Sequence, residues 1–214
     1  MVATATERGR ATRERLLDAA ARLVPEVGWG AVTTRMVADR AGVNPGLVHY
    51  HFSSVAGLLA EGALRVARQL VAGPRELLVQ APDTRTAVER LLAALQPYTG
   101  TDPASLLLTE AFLASTRDER LRDELGALLS DFRAEVAGWL RAQGHGDADA
   151  AAAVLAAAID GLILHRAIDP SQDLASCTGA LQQLLAPHGT GEAVRSHGAV
   201  RSHGAVRSHR MEDT

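Results

Sequence analysis

Apolar residues near the start of the chain recur at helical spacing and are followed by turn-forming residues. From Thr12 onward they fall at i, i+4, i+7, i+8 and i+11, the stripe of an amphipathic helix, and Gly28 is placed to end it. The residues of the stripe are Leu16, Ala20, Leu23, Val24 and Val27. A second helix of about two turns is expected next, with Thr34 as its cap and Gly42 in the left-handed conformation at its end.

A third helix is predicted directly after this glycine. Asn44 is a suitable cap, Pro45 fits the first helical position, and the helix should run to about Phe52. The apolar residues assigned to the core are Val43, Leu47, Val48 and Phe52. Two short helices joined by a short glycine-containing turn, after a longer amphipathic helix, form the outline of a helix-turn-helix.

The rest of the chain also has helical periodicity. A long helix is predicted in "SSVAGLLAEGALRVARQLVAGPRELLVQA", capped by Ser53 or Ser54 and kinked or broken at Gly73 and Pro74. Turn-forming residues then separate further helical patterns at about 83–97, 103–116, 118–143, 147–168 and 171–186. The predicted fold class is therefore all-α.

Composition agrees with a soluble helical protein. Hydrophobic residues make up 47% of the chain, charged residues 22% and aromatic residues 3%, and the abundant alanine favours closely packed helices. The single Cys177 excludes an intrachain disulfide and a thiolate cluster, which fits a reducing compartment. The N-terminus has no apolar signal-like segment, and no uninterrupted run of 18 apolar residues occurs, so a cytoplasmic location is expected.

Charge is distributed unevenly along the chain. The formal net charge is −3, yet residues 1–54 carry seven arginines and five acidic residues. All 22 basic residues are arginine. The asymmetry permits an anionic partner near the N-terminus, although a solvated helix surface would have the same composition.

The C-terminal residues differ in kind, because "EAVRSH GAVRSH GAVRSH" repeats a six-residue unit through residues 192–209. The repeat is too polar and too short to bury a core, so residues 189–214 are predicted to be a disordered tail. His197, His203 and His209 could bind a divalent metal loosely, but a tandem duplication is the simpler explanation.

The "HYH" sequence at 49–51 invites a metal or catalytic interpretation, and neither is supported. His49 and His51 lie about 200° apart on a helix, so they cannot chelate one ion within it. No cysteine or carboxylate cluster, serine elbow or glycine-rich phosphate loop accompanies them. We therefore predict no metal, no cofactor and no enzymatic activity.

Contact with the major groove of DNA explains these residues better than a metal site or a catalytic site does. One helix fits this groove, and hydroxyls, free N–H groups and a guanidinium suit phosphates or base edges. Candidates at the two helix starts and along the exposed face are Thr34, Arg35, Asn44, Pro45, Gly46, His49 and Tyr50. The alternative is structural: Thr34 and Asn44 would only cap helices, and Tyr50 would pack.

The segment "ATRERLLDAAARLVPEVGWGAVTTRMVADRAGVNPGLVHYHFSSVAGLL" resembles the N-terminal domain of TetR-family transcriptional regulators over about 50 residues. Shared features are the "LLDAAARL" helix, the "TT" before the second helix, "VADRAGV", and "YHF" with a leucine pair six residues on. The resemblance implies an all-α homodimer with a three-helix DNA-binding head and a helical body that binds an effector.

The resemblance also implies which positions contact DNA. They are Thr34, Arg35, Asn44, Pro45, Gly46, His49, Tyr50 and His51. Two departures stand out: many members have tyrosine where this chain has His49, and a phosphate-binding lysine where it has Val55. Losing that cation should weaken binding and flatten its salt dependence by about one unit of slope. Arg8, Arg10 and Arg13, on a flexible N-terminal arm, are hypothesised to compensate.

The predicted organisation is a DNA-binding head (residues 1–54), a helical ligand-binding and dimerisation body (residues 55–188) and the tail. Dimerisation is expected through residues 147–186, where small and apolar residues dominate. Candidates for an effector pocket are Thr109, Glu110, Phe112, Phe132, Trp139 and His165, with core packing as the alternative for each aromatic.

The predicted function is a dimeric transcriptional regulator, a repressor released from a pseudo-palindromic operator by a small-molecule effector. Two rival hypotheses remain at this stage. One is a protein-interaction module on the same fold whose DNA contacts have decayed, and the other is an all-α enzyme using Glu110 or His165.

Overall fold

The computed structural model describes residues 5–186, and this part of the chain is helical with no strand. The nine α-helices of these residues are α1 (Ala5–Val27), α2 (Thr34–Ala41), α3 (Gly46–His51), α4 (Val55–Val79), α5 (Thr84–Leu95), α6 (Pro103–Ser115), α7 (Glu119–Ala142), α8 (Ala148–Ile168) and α9 (Thr178–Leu184). Short 3₁₀ helices occur at Trp29–Ala31 and Leu174–Cys177. The all-α prediction is confirmed, while the predicted repeat tail and its histidines lie outside the described residues.

The turn between α2 and α3 forms largely as predicted. Gly42 has φ 65° and ψ 42°, the left-handed conformation that favours glycine, and the Val43 N–H donates to Ala38 O at 3.0 Å. The cap of α2 is Thr33 rather than the predicted Thr34, because the Met36 N–H donates to Thr33 Oγ1 at 3.3 Å. Thr34 becomes the first residue of the helix.

The start of α3 is fixed by Asn44. Its Oδ1 accepts the Gly46 N–H at 2.9 Å, and Pro45 already has helical angles of φ −53° and ψ −31°. The helix ends at His51, since Phe52 is extended with φ −137° and ψ 134°. The predicted limits are met within one residue.

Other predicted boundaries were wrong. The first helix begins at Ala5 rather than near Thr12, so Arg8, Arg10 and Arg13 lie within α1 and not on a flexible arm. The long helix α4 continues through Gly73 and Pro74 to Val79, so the predicted break does not occur, and the alternative of a kink there stays a prediction.

The last predicted helix, at 171–186, is much shorter in the structure. Asp169 and Asp173 accept the backbone N–H groups of Ser171 and Ala175, each at 3.0 Å. These side-chain bonds hold turns where the periodicity suggested helix. Only a 3₁₀ helix and α9 remain of the predicted element.

Two apolar clusters form the interior. The first joins α1, α2 and α3 to the N-terminal part of α4, and it also includes Leu107 and Ala111 of α6 and Leu121 of α7. The second joins the C-terminal end of α4 to α5, the later part of α7, α8 and α9. Helix α4 contributes to both clusters, with Leu58 in the first and Leu78 in the second.

Ion pairs hold α1 against its neighbours. Arg40 of α2 donates to both carboxylate oxygens of Glu26, at 2.8 and 2.6 Å. Arg65 of α4 pairs with Glu14 at 2.8 Å and also with Asp18. Because these charges are paired within the protein, several of the arginines around the first cluster support the fold.

Helix α8 is apolar on its outward side. Val154 is 48% exposed, Leu164 49% and Ile168 80%. By length and composition alone α8 is apolar enough to cross a membrane, and it is the one such helix among the described residues. One helix of this kind is weak evidence for a membrane span, and Asp160 interrupts its apolar sequence.

Candidate nucleic-acid interface

One side of α3 faces away from the protein. Val48 and Phe52 are only 1% and 7% exposed and pack in the first cluster. The exposed residues, which we call the outward face of α3, are Gly46, Leu47, His49 and Tyr50. Tyr50 is 80% exposed, so its ring and hydroxyl are available to a partner.

His51 lies at the edge of this surface. It is half-buried, and its ring meets that of Tyr50 edge to face, with centroids 5.0 Å apart and planes at 85°. This geometry is a favourable one for two aromatic rings. His51 therefore packs against the ring of Tyr50, and only part of its own side chain faces solvent.

The start of α2 adds a hydroxyl and a cation. Thr34 is half-buried, whereas the Arg35 side chain is 87% exposed and lies 3.9 Å from Asp39 one turn along. A contact this long between exposed groups contributes little. The guanidinium is therefore free to reorient toward an anion.

The start of α4 presents hydroxyls and no cation. Val55 is half-buried against the first cluster, and Ser54 Oγ accepts the Gly57 N–H at 3.0 Å as the cap of the helix. Ser53 and Ser54 are both exposed. The position that holds a lysine in many TetR-family members therefore has a packing role in this chain.

The N-terminal arginines divide into two groups. Arg13 pairs with Glu61, and its guanidinium lies 4.9 Å from the centroid of the Phe52 ring. Arg8 and Arg10 are exposed on α1. Two of the three arginines in the compensation hypothesis thus face solvent, while the third is used within the protein.

Leu47 was assigned to the core from sequence, and the structure corrects this. It is 37% exposed, while Val43 is partly buried. Val48 and Phe52 face the first cluster, and Leu47 lies about 100° from Val48 around the helix, at the edge of the buried side. Packing in the first cluster, rather than spacing alone, places Leu47 on the outward face of α3.

Of the six residues predicted to form an effector pocket, only His165 lines either of the two prominent depressions of the described residues. Thr109 Oγ1 donates to Ser105 O at 2.9 Å within α6, and Glu110 Oε2 accepts the Trp29 N–H at 3.2 Å, so it contacts the head. Phe112 is 45% exposed. The six residues lie on three different helices, α6, α7 and α8.

Two of the six residues, Phe132 and Trp139, lie on the same helix, α7. Phe132 is 7% exposed in the second cluster, and Trp139 packs against the same cluster. His165 of α8 is exposed and borders an open depression with Ile168 and Asp169. Neither this depression nor the other prominent one, beside Arg117 and Glu124, is enclosed.

An exposed recognition-type helix that follows a short glycine turn, on a body that is helical throughout the described residues, is the architecture of a helix-turn-helix protein. Comparison with known proteins agrees. Residues 16–61 match the model of bacterial regulatory proteins of the tetR family, and residues 82–187 match a tetracyclin repressor-like C-terminal domain.

Relatives cover most of the chain. The transcriptional regulator BetI of Burkholderia mallei is 33% identical over 187 residues, which cover 82% of this chain and 94% of BetI. The chain belongs to the TetR family, whose members are DNA-binding transcriptional regulators and not enzymes.

Solved structures share the fold. A transcriptional regulator of Streptomyces coelicolor superposes with a TM-score of 0.70 at 27% identity, covering 82% of this chain and 98% of that one. A regulator of Saccharomonospora viridis, solved in complex with choline, has a TM-score of 0.64 at 25% identity and covers 81% and 92% of the two chains.

Proposed function

We propose that this protein is a homodimeric repressor in the cytoplasm that binds a pseudo-palindromic operator and leaves it when a small molecule binds the body. The observation that carries the proposal is the outward face of α3. Tyr50 on this face is 80% exposed, while Val48 and Phe52 pack α3 against the protein interior.

Each DNA contact has a distinct proposed role. His49 and Tyr50 contact base edges in the major groove, and Gly46 lets the backbone approach closely because it has no side chain. Asn44 Oδ1 is occupied by the Gly46 N–H, so its amide hydrogens remain for a phosphate. The supporting contacts to the sugar-phosphate backbone come from Thr34, Arg35, Pro45 and His51.

The proposed dimer interface uses α8 and α9, within residues 147–186. Exposed apolar residues lie on α8, and α9 adds Leu184, which is 55% exposed. A two-fold axis there would place the two α3 helices about 34 Å apart, one turn of DNA.

The proposed effector binds the body. Choline is the first compound to test, because it is bound in the Saccharomonospora viridis regulator. Aromatic side chains favour quaternary ammonium ions, and Phe132 and Trp139 are the candidates for that contact. The other residues proposed for this site are Thr109, Glu110, Phe112 and His165.

The effector signal is proposed to reach the head through α6. Glu110 of this helix accepts the Trp29 N–H, and Gly28 beside it has φ 83°. A shift of α6 when an effector binds would disturb this contact and bias the spacing of the two heads.

Operator binding is tested by fluorescence anisotropy with a duplex from the region upstream of the protein's own gene, at several salt concentrations, beside a scrambled duplex of equal length. Preferential binding that weakens with salt is expected. If both duplexes bind alike, a random-duplex selection follows. Enrichment of no sequence would reject operator binding and favour the interaction-module alternative.

Effector binding has its own readout. The chain has two tryptophans, so Trp29→Phe leaves Trp139 as the single reporter in the body. Choline is expected to change its fluorescence and to raise the operator dissociation constant. Tetramethylammonium serves as the charge-matched comparison. Unchanged fluorescence and unchanged operator affinity at millimolar choline would exclude choline as the effector.

A further inference from the structure

Leu47 is an apolar side chain on a surface proposed to contact DNA. It is 37% exposed, although Val48 and Phe52 already supply the buried contacts of α3. An exposed leucine is common in proteins and means little by itself. Its position on the outward face of α3 is what requires an explanation.

The geometry places Leu47 among the residues that would approach base pairs. It is three residues before Tyr50 and directly follows Gly46, so the positions 46, 47 and 50 form adjacent points on one side of a helical turn. A helix whose Tyr50 side lies in the groove would bring Leu47 to the base edges as well.

The hydrogen-bonding capacity of this surface is small. Of the four residues of the outward face, Gly46 and Leu47 have no side-chain donor or acceptor, which leaves His49 and Tyr50 to make such bonds. The apolar group that base pairs present in the major groove is the C5-methyl of thymine. The most favourable apolar contact for a leucine at the base edges is therefore with this methyl group.

We propose that Leu47 confers a preference for thymine at one position of each half-site by packing against its C5-methyl group. The inference rests on the proposed operator binding and adds to it the chemical feature that is recognised. Covering one methyl corresponds to about a fourfold change in affinity for each half-site.

The test replaces thymine by deoxyuridine, which removes only the methyl group, one position at a time in the selected operator. For the wild-type protein, one position per half-site is expected to show a loss of about fourfold. Leu47→Ala is expected to bind the thymine operator more weakly and to show no loss at that position. Its salt slope should equal that of the wild type, because no charge is involved.

Two further variants control for folding and for surface hydrophobicity. Leu47→Gln keeps a side chain of similar length and should lose the methyl preference as Leu47→Ala does. Leu113→Ala removes a 58% exposed leucine on α6, in the body, and should retain the wild-type response. Circular dichroism melts establish that all three variants are folded.

The outcomes separate this inference from the proposed function. If the wild type prefers its operator over a scrambled duplex but tolerates deoxyuridine at every position, operator binding stands and methyl recognition is rejected. If Leu47→Ala keeps the wild-type sensitivity to deoxyuridine, the methyl contact belongs to another residue and the assignment to Leu47 is rejected. If selection enriches no sequence at all, both proposals fall.

Discussion

At the scale of single residues, the arginines of the head differ in whether their charge is already paired. Arg40 makes two short hydrogen bonds to Glu26, and Arg65 pairs with Glu14 and Asp18, so both stabilise the arrangement of α1. Arg35 is held only by a 3.9 Å contact with Asp39. Since a weak exposed pair costs little to break, Arg35 can exchange its carboxylate for a phosphate.

Replacing Arg35 with alanine is expected to weaken operator binding and to lower the salt slope by about one. Asp39→Asn should strengthen operator binding, because it removes a negative charge near Arg35. Salt titrations of anisotropy measure both effects. Arg90→Ala, an exposed arginine on α5, is the matched control and should leave the slope unchanged. An unchanged slope for Arg35→Ala would mean that this guanidinium touches no phosphate.

At the scale of elements, the loop after α5 is fastened to α8. Arg166 Nη1 donates to the carbonyl oxygens of Leu95, Gln96 and Tyr98 at 3.4, 3.3 and 2.6 Å, which places a cation at the C-terminal end of α5. Gly100 follows with φ 80°, so close to α8 that an added Cβ would lie 2.5 Å from Ile163 O. The two contacts fix how the α5–α6 loop lies against α8.

Gly100→Ala is expected to lower the free energy of unfolding by about 2 to 5 kcal/mol, because it combines an unfavourable φ with a clash against backbone. Urea denaturation monitored by circular dichroism measures the loss. Gly138→Ala is the control, since Gly138 is within α7 and nothing lies within 4 Å of its added Cβ. It should be neutral or slightly stabilising. Equal stability of the two variants would contradict the close approach at Gly100.

The contact between α1 and α2 depends on pH through Glu26. Hydrogen bonding from Arg40 lowers the pKa of Glu26 below its ordinary value of 4.5. The pair therefore contributes stability above the pKa of the unfolded chain, and that contribution is lost as pH falls through the lower pKa of the folded state.

Glu26→Gln should accordingly reduce stability near pH 7, and its difference from the wild type should shrink as the pH falls through the lower pKa of the folded state, because the carboxylate then becomes protonated. Thermal melts of the variant and the wild type across this range measure the difference. Glu89→Gln, an exposed carboxylate on α5, controls for the loss of a surface charge. A difference that does not vary with pH would show that the pair is not the cause.

The accuracy of the sequence predictions for these elements depends on how far apart along the chain the interacting residues lie. Gly42 and Asn44 were identifiable because turn geometry and capping involve only neighbouring residues. The side of α3 on which Leu47 lies depended on packing against α1 and α4, and the short α9 on competition from Asp169 and Asp173. The contact between Glu110 and the Trp29 N–H could not be foreseen, because periodicity does not reveal how α6 packs against the N-terminal helices.

At the scale of the whole molecule, apolar residues on α8 and α9 remain uncovered in a single chain. Ile168, Leu164 and Val154 lie on one outward side of α8, with 80%, 49% and 48% of their surface exposed. A second copy of the chain, related by a two-fold axis, would cover them with the same surface.

Leu164→Glu is expected to halve the molecular mass measured by light scattering. It should also weaken operator binding, because a monomer binds one half-site whereas a dimer binds both at once. Leu113→Glu, which introduces the same charge at an exposed leucine of α6, should leave the mass unchanged. A wild type of monomeric mass, or a Leu164→Glu variant of wild-type mass, would count against an interface on α8.

The first apolar cluster crosses from the head into the body, and this limits how regulators of this kind can be recombined. A chimera joined at residue 54 would carry the DNA-contacting side chains to a new body but leave behind Leu58, Leu107 and Leu121, on which the transplanted helices rest. The transplanted helices would contact the surface of a different body and would lose these packing contacts. Exchanging operator specificity between relatives should instead begin with point substitutions on the outward face of α3, which leave the shared interior untouched.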